Sequence, residues 1–375
     1  MKKLVSLLLA LVMVLGMMSF ASAEENKIAM ITDYGDITDQ SFNQTTWEAV
    51  VKFGTDNNIE YKYYKPDTND TAGRVAKVEM AIDEGYNVIV MPGYAFGGTI
   101  AEISGEYEDV KFIALDVAKG DLLEGGVALK GESYDYNPDN WNLTDYVYMD
   151  NVYCAIYQEE ISGYMAGYAA VKLGYTKLGF LGGMAVPAVI RYGFGFVQGA
   201  DAAAAEMGVD IEINYTYGGQ FFGDANITAK MEGWYAAGTE VVFACGGGIY
   251  TSAVEAAKNH DGKVIGVDVD QYYIDECIIT SAMKQLQNVT ETVLEALNTG
   301  NWDTYGGKVT NFSLAEGEYV GLPTAADSWR LSTFTVEEYE ALKAQLADGT
   351  IIVDNNSDDT VKPTVSDKTT VNYIG

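Results

Sequence analysis

Residues 27–47, KIAMITDYGDITDQSFNQTTW, hold the pattern that decides the fold. Residues 27–32 are a short, mostly apolar run of strand length. Asp33-Tyr34-Gly35 is turn-forming, and Phe42 begins a helix-length amphipathic stretch. The unit recurs. Short β-branched runs follow at 59–64, 87–91 and 111–115, and again at 177–182, 210–216, 240–245 and 263–267. Their starts lie 32, 28 and 24 residues apart in the first set and 33, 30 and 23 in the second. Strands alternating with helices at this spacing form right-handed βαβ units around a parallel sheet. Two sets with matching spacing imply two similar lobes. The expected architecture is α/β, with two doubly wound parallel-sheet lobes. The first covers 26–150 with a later segment near 269–310 crossing back. The second covers 151–268 with a later segment near 311–348.

Composition narrows the functions. A chain of 375 residues, 48% hydrophobic and 21% charged, is long enough for two well-packed domains. Lys and Arg number 23 against 54 Asp and Glu, a net charge of −31. Such a surface repels phosphate backbones, so nucleic acid is not an expected partner. A single histidine, His260, removes most histidine-based catalysis and most zinc sites. Three cysteines cannot build a disulfide framework, and Cys154, Cys245 and Cys277 sit in apolar contexts that fit small core residues. At the start, Lys2 and Lys3 precede an apolar run to Met18, and Ala21-Ser22-Ala23 supplies a small-residue cleavage site. About 15 apolar residues fall short of the roughly 20 that span a bilayer, so residues 1–23 are read as a secretory signal peptide. Export to the periplasm or the outer face of the cell membrane is expected. Residues 131–157 are irregular and rich in Tyr and Asn, and 349–375 form a polar, turn-rich tail expected to pack loosely.

In open α/β sheets, ligands bind beyond the carboxyl ends of the parallel strands. The residues found there are Asp33, Gly93, Asp116, Gly182-Gly183, Gly246-Gly247-Gly248 and Asp268. Glycine lets a ligand approach the backbone, and aspartate accepts hydrogen bonds from hydroxyls or ring N–H groups. Singly, each is also an ordinary turn or cap residue; together, on facing lobes, they favour a cleft. Phe42 and Tyr192 add flat faces for a ring-shaped ligand, though Phe42 could equally open its helix as a core anchor. Other motifs fail. The 193–199 stretch GFGFVQG has one residue too many for a dinucleotide fingerprint and lies in a helical pattern. No P-loop is present. Asp354-x-Asn356-x-Asp358 lacks the glycine and glutamate of a calcium loop. His260 lies in a helix-to-strand turn on the rim away from the expected site.

The segments 30–49 (MITDYGDITDQSFNQTTWEA), 179–200 (GFLGGMAVPAVIRYGFGFVQGA), the glycines 246–248, and 265–273 (IGVDVDQYY) with 279–284 (ITSAMK) resemble the basic membrane protein family. These are substrate-binding proteins of ABC importers and include purine nucleoside receptors. The resemblance runs from about residue 27 to about residue 323. It implies a type I periplasmic-binding-protein fold with a hinged cleft, permease subunits as partners, no cofactor and no catalysis. It also implies roles: the base between Phe42 and Tyr192, polar contacts to it from Asp33, Asn43 and Asp116, and ribose hydroxyls held by Asp268 and Lys284 with backbone donors near Gly246. Family members are typically lipoproteins with a cysteine at the cleavage site. Residues 17–23 contain none, so a lipid anchor is not expected and the protein is read as soluble in the periplasm or held at the surface by its transporter or by other means. Two other readings are a same-fold receptor for a sugar or another polar metabolite, and a secreted nucleoside hydrolase using Asp33, Asp36 and Asp39.

Overall fold

The computed structural model describes residues 25–33 and 35–375; the expected signal peptide, 1–23, lies outside them. The first five strands are β1 (Lys27–Ile31), β2 (Glu60–Tyr64), β3 (Val88–Pro92), β4 (Lys111–Leu115) and β5 (Val152–Tyr157). Between them run α1 (Phe42–Asn57), α2 (Thr71–Asp83), α3 (Phe96–Ile103) and α4 (Lys119–Leu129). The same alternation follows with β6 (Lys177–Gly182), β7 (Ile211–Tyr217), β8 (Val241–Cys245), β9 (Lys263–Asp268) and β10 (Ile278–Lys284). Its helices are α5 (Glu159–Lys172), α6 (Pro187–Met207), α7 (Ala225–Ala236) and α8 (Tyr250–His260). After β10 come α9 (Leu286–Asn298), β11 (Lys308–Phe312), β12 (Val320–Gly321), α10 (Val336–Ala347) and β13 (Thr369–Tyr373).

The sheets have the orders β11-β5-β4-β3-β1-β2 and β12-β10-β9-β8-β6-β7-β13. Each contains the doubly wound order 2-1-3-4-5, so the lobes repeat one plan. Every named pairing is parallel except β10 with β12. Strands buried on both faces, such as VIVMP in β3 and VVFAC in β8, read as unbroken apolar runs.

The expected lobe boundaries shift. A break at 150/151 would separate β5 from the sheet it completes, since β5 pairs with β4. The segment near 269–310 divides. β10 pairs with β9 in the second sheet, whereas α9 packs on α1, with Lys52 Nζ 3.0 Å from Glu291. β11, at 308–312, pairs with β5 in the first sheet. Among the described residues the chain therefore changes lobe at three places: Gln158, Gln285 and 313–319. Gln158 (φ −82°, ψ 66°) and Gln285 (φ −83°, ψ 60°) share one inverse-γ conformation between a strand of one lobe and a helix of the other. The crossings are laced together, with Gln285 N donating to Tyr319 O and Leu314 N to Gln158 Oε1.

The glycines of the failed nucleotide motif have a packing role. A Cβ on Gly195 or Gly199 of α6 would lie 1.9 Å from the carbonyls of Glu160 or Tyr164 in α5. Gly163 and Gly167 of α5 meet α6 in the same way, at 2.1 Å from Tyr192 O and Phe196 O. These helices touch backbone to backbone, which fixes the start of α6 at the cleft.

The tail is better ordered than its composition implies. β13 lies parallel to β7, Thr216 Oγ1 donates to Ile374 O, and Ser366 donates to Asp201. It covers an edge of the second sheet that would otherwise present unpaired backbone groups. Truncation before Ser366 should lower the melting temperature by roughly 4 °C or more and promote association in light scattering; an unchanged melting curve would show that the strand adds nothing to the sheet.

Candidate functional site

One cavity lies between the lobes at the strand carboxyl ends. Its open space, counting the mouth, is ≈ 610 Å³. Asp33, Phe42, Asn43, Asp116, Tyr192, Gly246, Asp268 and Lys284 all border it. The fold brings them together by symmetry. Gly93 follows β3 and Gly246 follows β8, with φ of 128° and 143°. Asp116 follows β4 and Asp268 ends β9, with φ of 59° and 68°. Left-handed backbone is uncommon outside glycine and least costly for Asn and Asp. Both lobes thus end the same two strands in the same unusual turns. A Cβ on Gly93 would lie 3.1 Å from Asp33, and one on Gly246 would lie 2.9 Å from the Phe221 ring.

At the floor stands the Lys284 ammonium, at the end of β10. It bonds Asp116 and lies 3.4 Å from Glu159 and 3.6 Å from Asp268. Glu159 is fully buried and also accepts from Arg191 Nε at 2.8 Å. The ammonium lies 4.7 Å from the Phe42 ring centre and 5.6 Å from that of Tyr192. Burial pulls the pKa of Lys284 down, but Asp116, Asp268 and Glu159 together outweigh it and raise it. Burial pushes the Asp116 carboxyl up to about 7; Lys284 opposes that shift, and Glu159 and Asp268 add to it. Removing one partner from such a group leaves an uncompensated buried charge, at a cost of about 3–5 kcal/mol.

The first lobe's wall is the start of α1. Asp39 accepts from the backbone N–H groups of Ser41, Asn43 and Gln44 and from Asn43 Nδ2. It caps the helix, and this holds Phe42 and Asn43 at the cavity. Its carboxyl is raised to about 6 by burial, against those N–H groups. Asp36 accepts from Thr38 and pairs with Lys65 on the outside. Asp33 and Asp39 therefore border the cavity while Asp36 turns away. Among the described residues, three buried polar atoms of the lining lack a hydrogen-bond partner: Asn43 Oδ1, Asp116 Oδ1 and the Tyr192 hydroxyl.

Tyr192 differs from the flat face expected. It is 1% exposed and meets Phe243 edge-on at 5.9 Å, so its ring belongs to the core while bordering the cavity. Phe42 is half-buried. Phe221, a half-buried ring of the second lobe, also borders the cavity; its signal in the sequence is the Gly218-Gly219 turn after β7, one more strand end. Glu159 has no such local signal, because it follows β5, whose stretch of sequence reads as irregular. His260 bonds Glu232 at the far end of α8, and Cys154, Cys245 and Cys277 are buried free thiols.

Comparison with known proteins places the chain among binding proteins. The profile of a family described as ABC transporter substrate-binding protein PnrA-like matches residues 26–357. An ABC transporter nucleoside-binding protein, BmpA, of Lactococcus lactis subsp. cremoris is 26% identical over 87% of this chain and 88% of its own. Basic membrane protein B of Borreliella burgdorferi is 26% identical over 90% of each chain. Among solved structures, an ABC transporter solute-binding protein of Aeropyrum pernix K1 superposes with a TM-score of 0.72 at 18% identity, over 89% of this chain and 95% of the other. One from Conexibacter woesei gives 0.64 at 20%, over 88% and 99%. These likenesses establish the type I periplasmic-binding-protein fold. Among the described residues, no helix is long and apolar enough to cross a membrane.

The raised carboxyls set a pH dependence. Burial also lifts Asp121 to about 7, against the Ala118 N–H, and lifts Glu160 to about 7 with Glu159 adding to it. Asp121 and Glu160 hold their protons in the folded protein at a pH where the unfolded chain has released them. Their contribution to stability is fullest below about pH 4 and falls as pH rises through about 7. The ligand-free protein should therefore melt higher at pH 5.5 than at pH 7.5, and Glu160→Gln should reduce that difference. Melting that rises with pH over this range would contradict the assignment.

Proposed function

We propose that this chain, which belongs to the PnrA-like family of ABC transporter substrate-binding proteins, binds purine nucleosides in the interlobe cleft and presents them to a permease. Family membership implies a small-molecule ligand and transporter subunits as partners. The nucleoside assignment rests on the chemistry of the cavity. Its lining is rich in acceptors, with Asp33, Asp116, Asp268 and Asn43, and its cation is already shared among three carboxylates. A guest must bring donors and no strong negative charge. A nucleoside brings both ribose hydroxyls and ring N–H or amino groups, whereas a 5′-phosphate would face the carboxylates and be repelled.

The observation that carries the reading is the conjunction of Phe42 with the Asp268–Lys284–Asp116 group in one cavity. Asp268 and Lys284 hold the cis-diol, since a carboxylate accepts from hydroxyls and an ammonium donates to them. Asp33, Asn43 and Asp116 meet the base edge. The base stacks on Phe42, Tyr192 stands at the floor, and Phe221 supplies a further ring from the other lobe. The backbone after β8 at Gly246 lets the sugar approach. The protein works at the periplasm or the outer face of the cell membrane. The L. lactis relative, named as nucleoside-binding, supports this ligand class.

Calorimetry of inosine and 2′,3′-dideoxyinosine against wild type and Asp268→Asn tests the assignment. Asparagine keeps the left-handed backbone that alanine would strain. The variant should bind inosine roughly 30-fold or more weakly, with little further loss for the dideoxy compound. Equal losses for both compounds would reject the ribose role, and release of hypoxanthine from inosine would favour hydrolysis over transport. Tyr192→Phe should leave melting of the free protein unchanged while weakening inosine binding. Tyr192→Ala should destabilise the free protein by about 3–5 kcal/mol, because its ring is core.

A further inference from the structure

Two loops meet across the cleft through hydrogen bonds in which, of the residues that take part, only Asp268 borders the cavity. In the first lobe, Gln40 stands just before α1 with φ of 54°, a left-handed conformation unusual for glutamine. Gln44 Oε1 holds it there by accepting from both Gln40 N and Gln40 Nε2. This conformation turns the Gln40 carbonyl toward the second lobe. There, Gln271 is fully buried between β9 and β10. Its Oε1 accepts from Val267 N at 3.0 Å, its backbone N–H donates to Ser281 Oγ at 3.0 Å, and its Nε2 donates across the cleft to Gln40 O at 2.9 Å. The site is shaped for this side chain: a Cβ on Gly266 would lie 2.4 Å from Gln271 Oε1. Tyr273 OH donates to Gln40 Oε1 at 2.9 Å, and Ser41 Oγ donates to Asp268 Oδ2 at 2.5 Å.

We propose that Gln271, acting on Gln40 with Tyr273 beside it, is a positioning residue that latches the lobes together and so sets how long a ligand is retained. None of these three side chains borders the cavity. Their bonds exist only when the lobes are closed, so they bias the closed state whatever occupies it. The Ser41–Asp268 bond ties the latch to the site, because it fixes one oxygen of Asp268 and leaves the other toward Lys284 and the guest. Each such bond shifts the closed-to-open ratio by roughly 3- to 10-fold. The proposal rests on the nucleoside reading only for the identity of what is retained.

The test uses the full chain without ligand. Leu129→Cys in the first lobe and Met207→Cys in the second, both exposed positions, carry a dye pair, and single-molecule energy transfer reports the closed fraction. Gln271→Glu keeps the acceptor for Val267 N but sets an oxygen against the Gln40 carbonyl, so the closed-to-open ratio should fall by about 10-fold or more. Tyr273→Phe changes an exposed side chain, leaves folding intact, and should lower the ratio by about 3-fold. In stopped flow, Gln271→Glu should speed inosine release with its association rate unchanged, which a merely structural defect would not do. A ligand-free wild type with no closed population, or one equal to that of both variants, overturns the latch. Since that readout contains no nucleoside, its failure is distinct from a failure of inosine to bind.

Discussion

A buried ammonium must be neutralised where it stands, and much of the cleft follows from this requirement at Lys284. Its carboxylate partners come from three separate elements: Asp116 after β4, Glu159 at the start of α5 and Asp268 at the end of β9. No short stretch of chain could supply them. They meet because both sheets run their strands in one order and point their carboxyl ends at a common space. Arg191 closes the group by pairing with Glu159. The group also adjoins the hinge, since Glu159 follows Gln158 and Lys284 precedes Gln285, the residues where the chain changes lobe. Movement of the lobes and the electrostatics of the site therefore share one set of atoms.

The repeat of the lobes extends to backbone conformation. Two glycines and two aspartates occupy corresponding strand ends with similar positive φ. Glycine there opens space, for Asp33 in one lobe and Phe221 in the other. Aspartate there presents its carboxylate inward at the cost of a conformation that most residues avoid. Such strain persists only when the surroundings hold it, and at Asp116 and Asp268 the surroundings are the shared ammonium and, for Asp268, Ser41 of the facing lobe. The lining that results is rich in hydrogen-bond acceptors.

Much of this was legible in the sequence. The eight runs with matching spacing correspond to β1–β4 and β6–β9, because strands buried on both faces show as apolar runs and their spacing counts the helices between. The strand-end residues were legible because strand ends are where such sheets bind. The lobe crossings were not. β5 follows an irregular stretch, and its membership in the first sheet depends on pairing with β4, which no local pattern encodes. The tail was misjudged for a similar reason: TTVNY is too short and polar to declare itself, and the open edge of β7 recruits it. The exposure of Tyr192 also depended on tertiary context, since helical spacing cannot say whether a ring faces a cavity or Phe243.

The central claim is that an acceptor-lined cleft closes on an uncharged purine riboside. A thermal-shift panel of inosine, guanosine and adenosine, their 5′-monophosphates, the free bases and ribose, on one preparation at one pH, tests it most directly, because a tight ligand raises melting by mass action. The account predicts a rise of several degrees with at least one nucleoside and none with its monophosphate or with ribose. A rise with a nucleotide or a sugar in place of the nucleosides would contradict it.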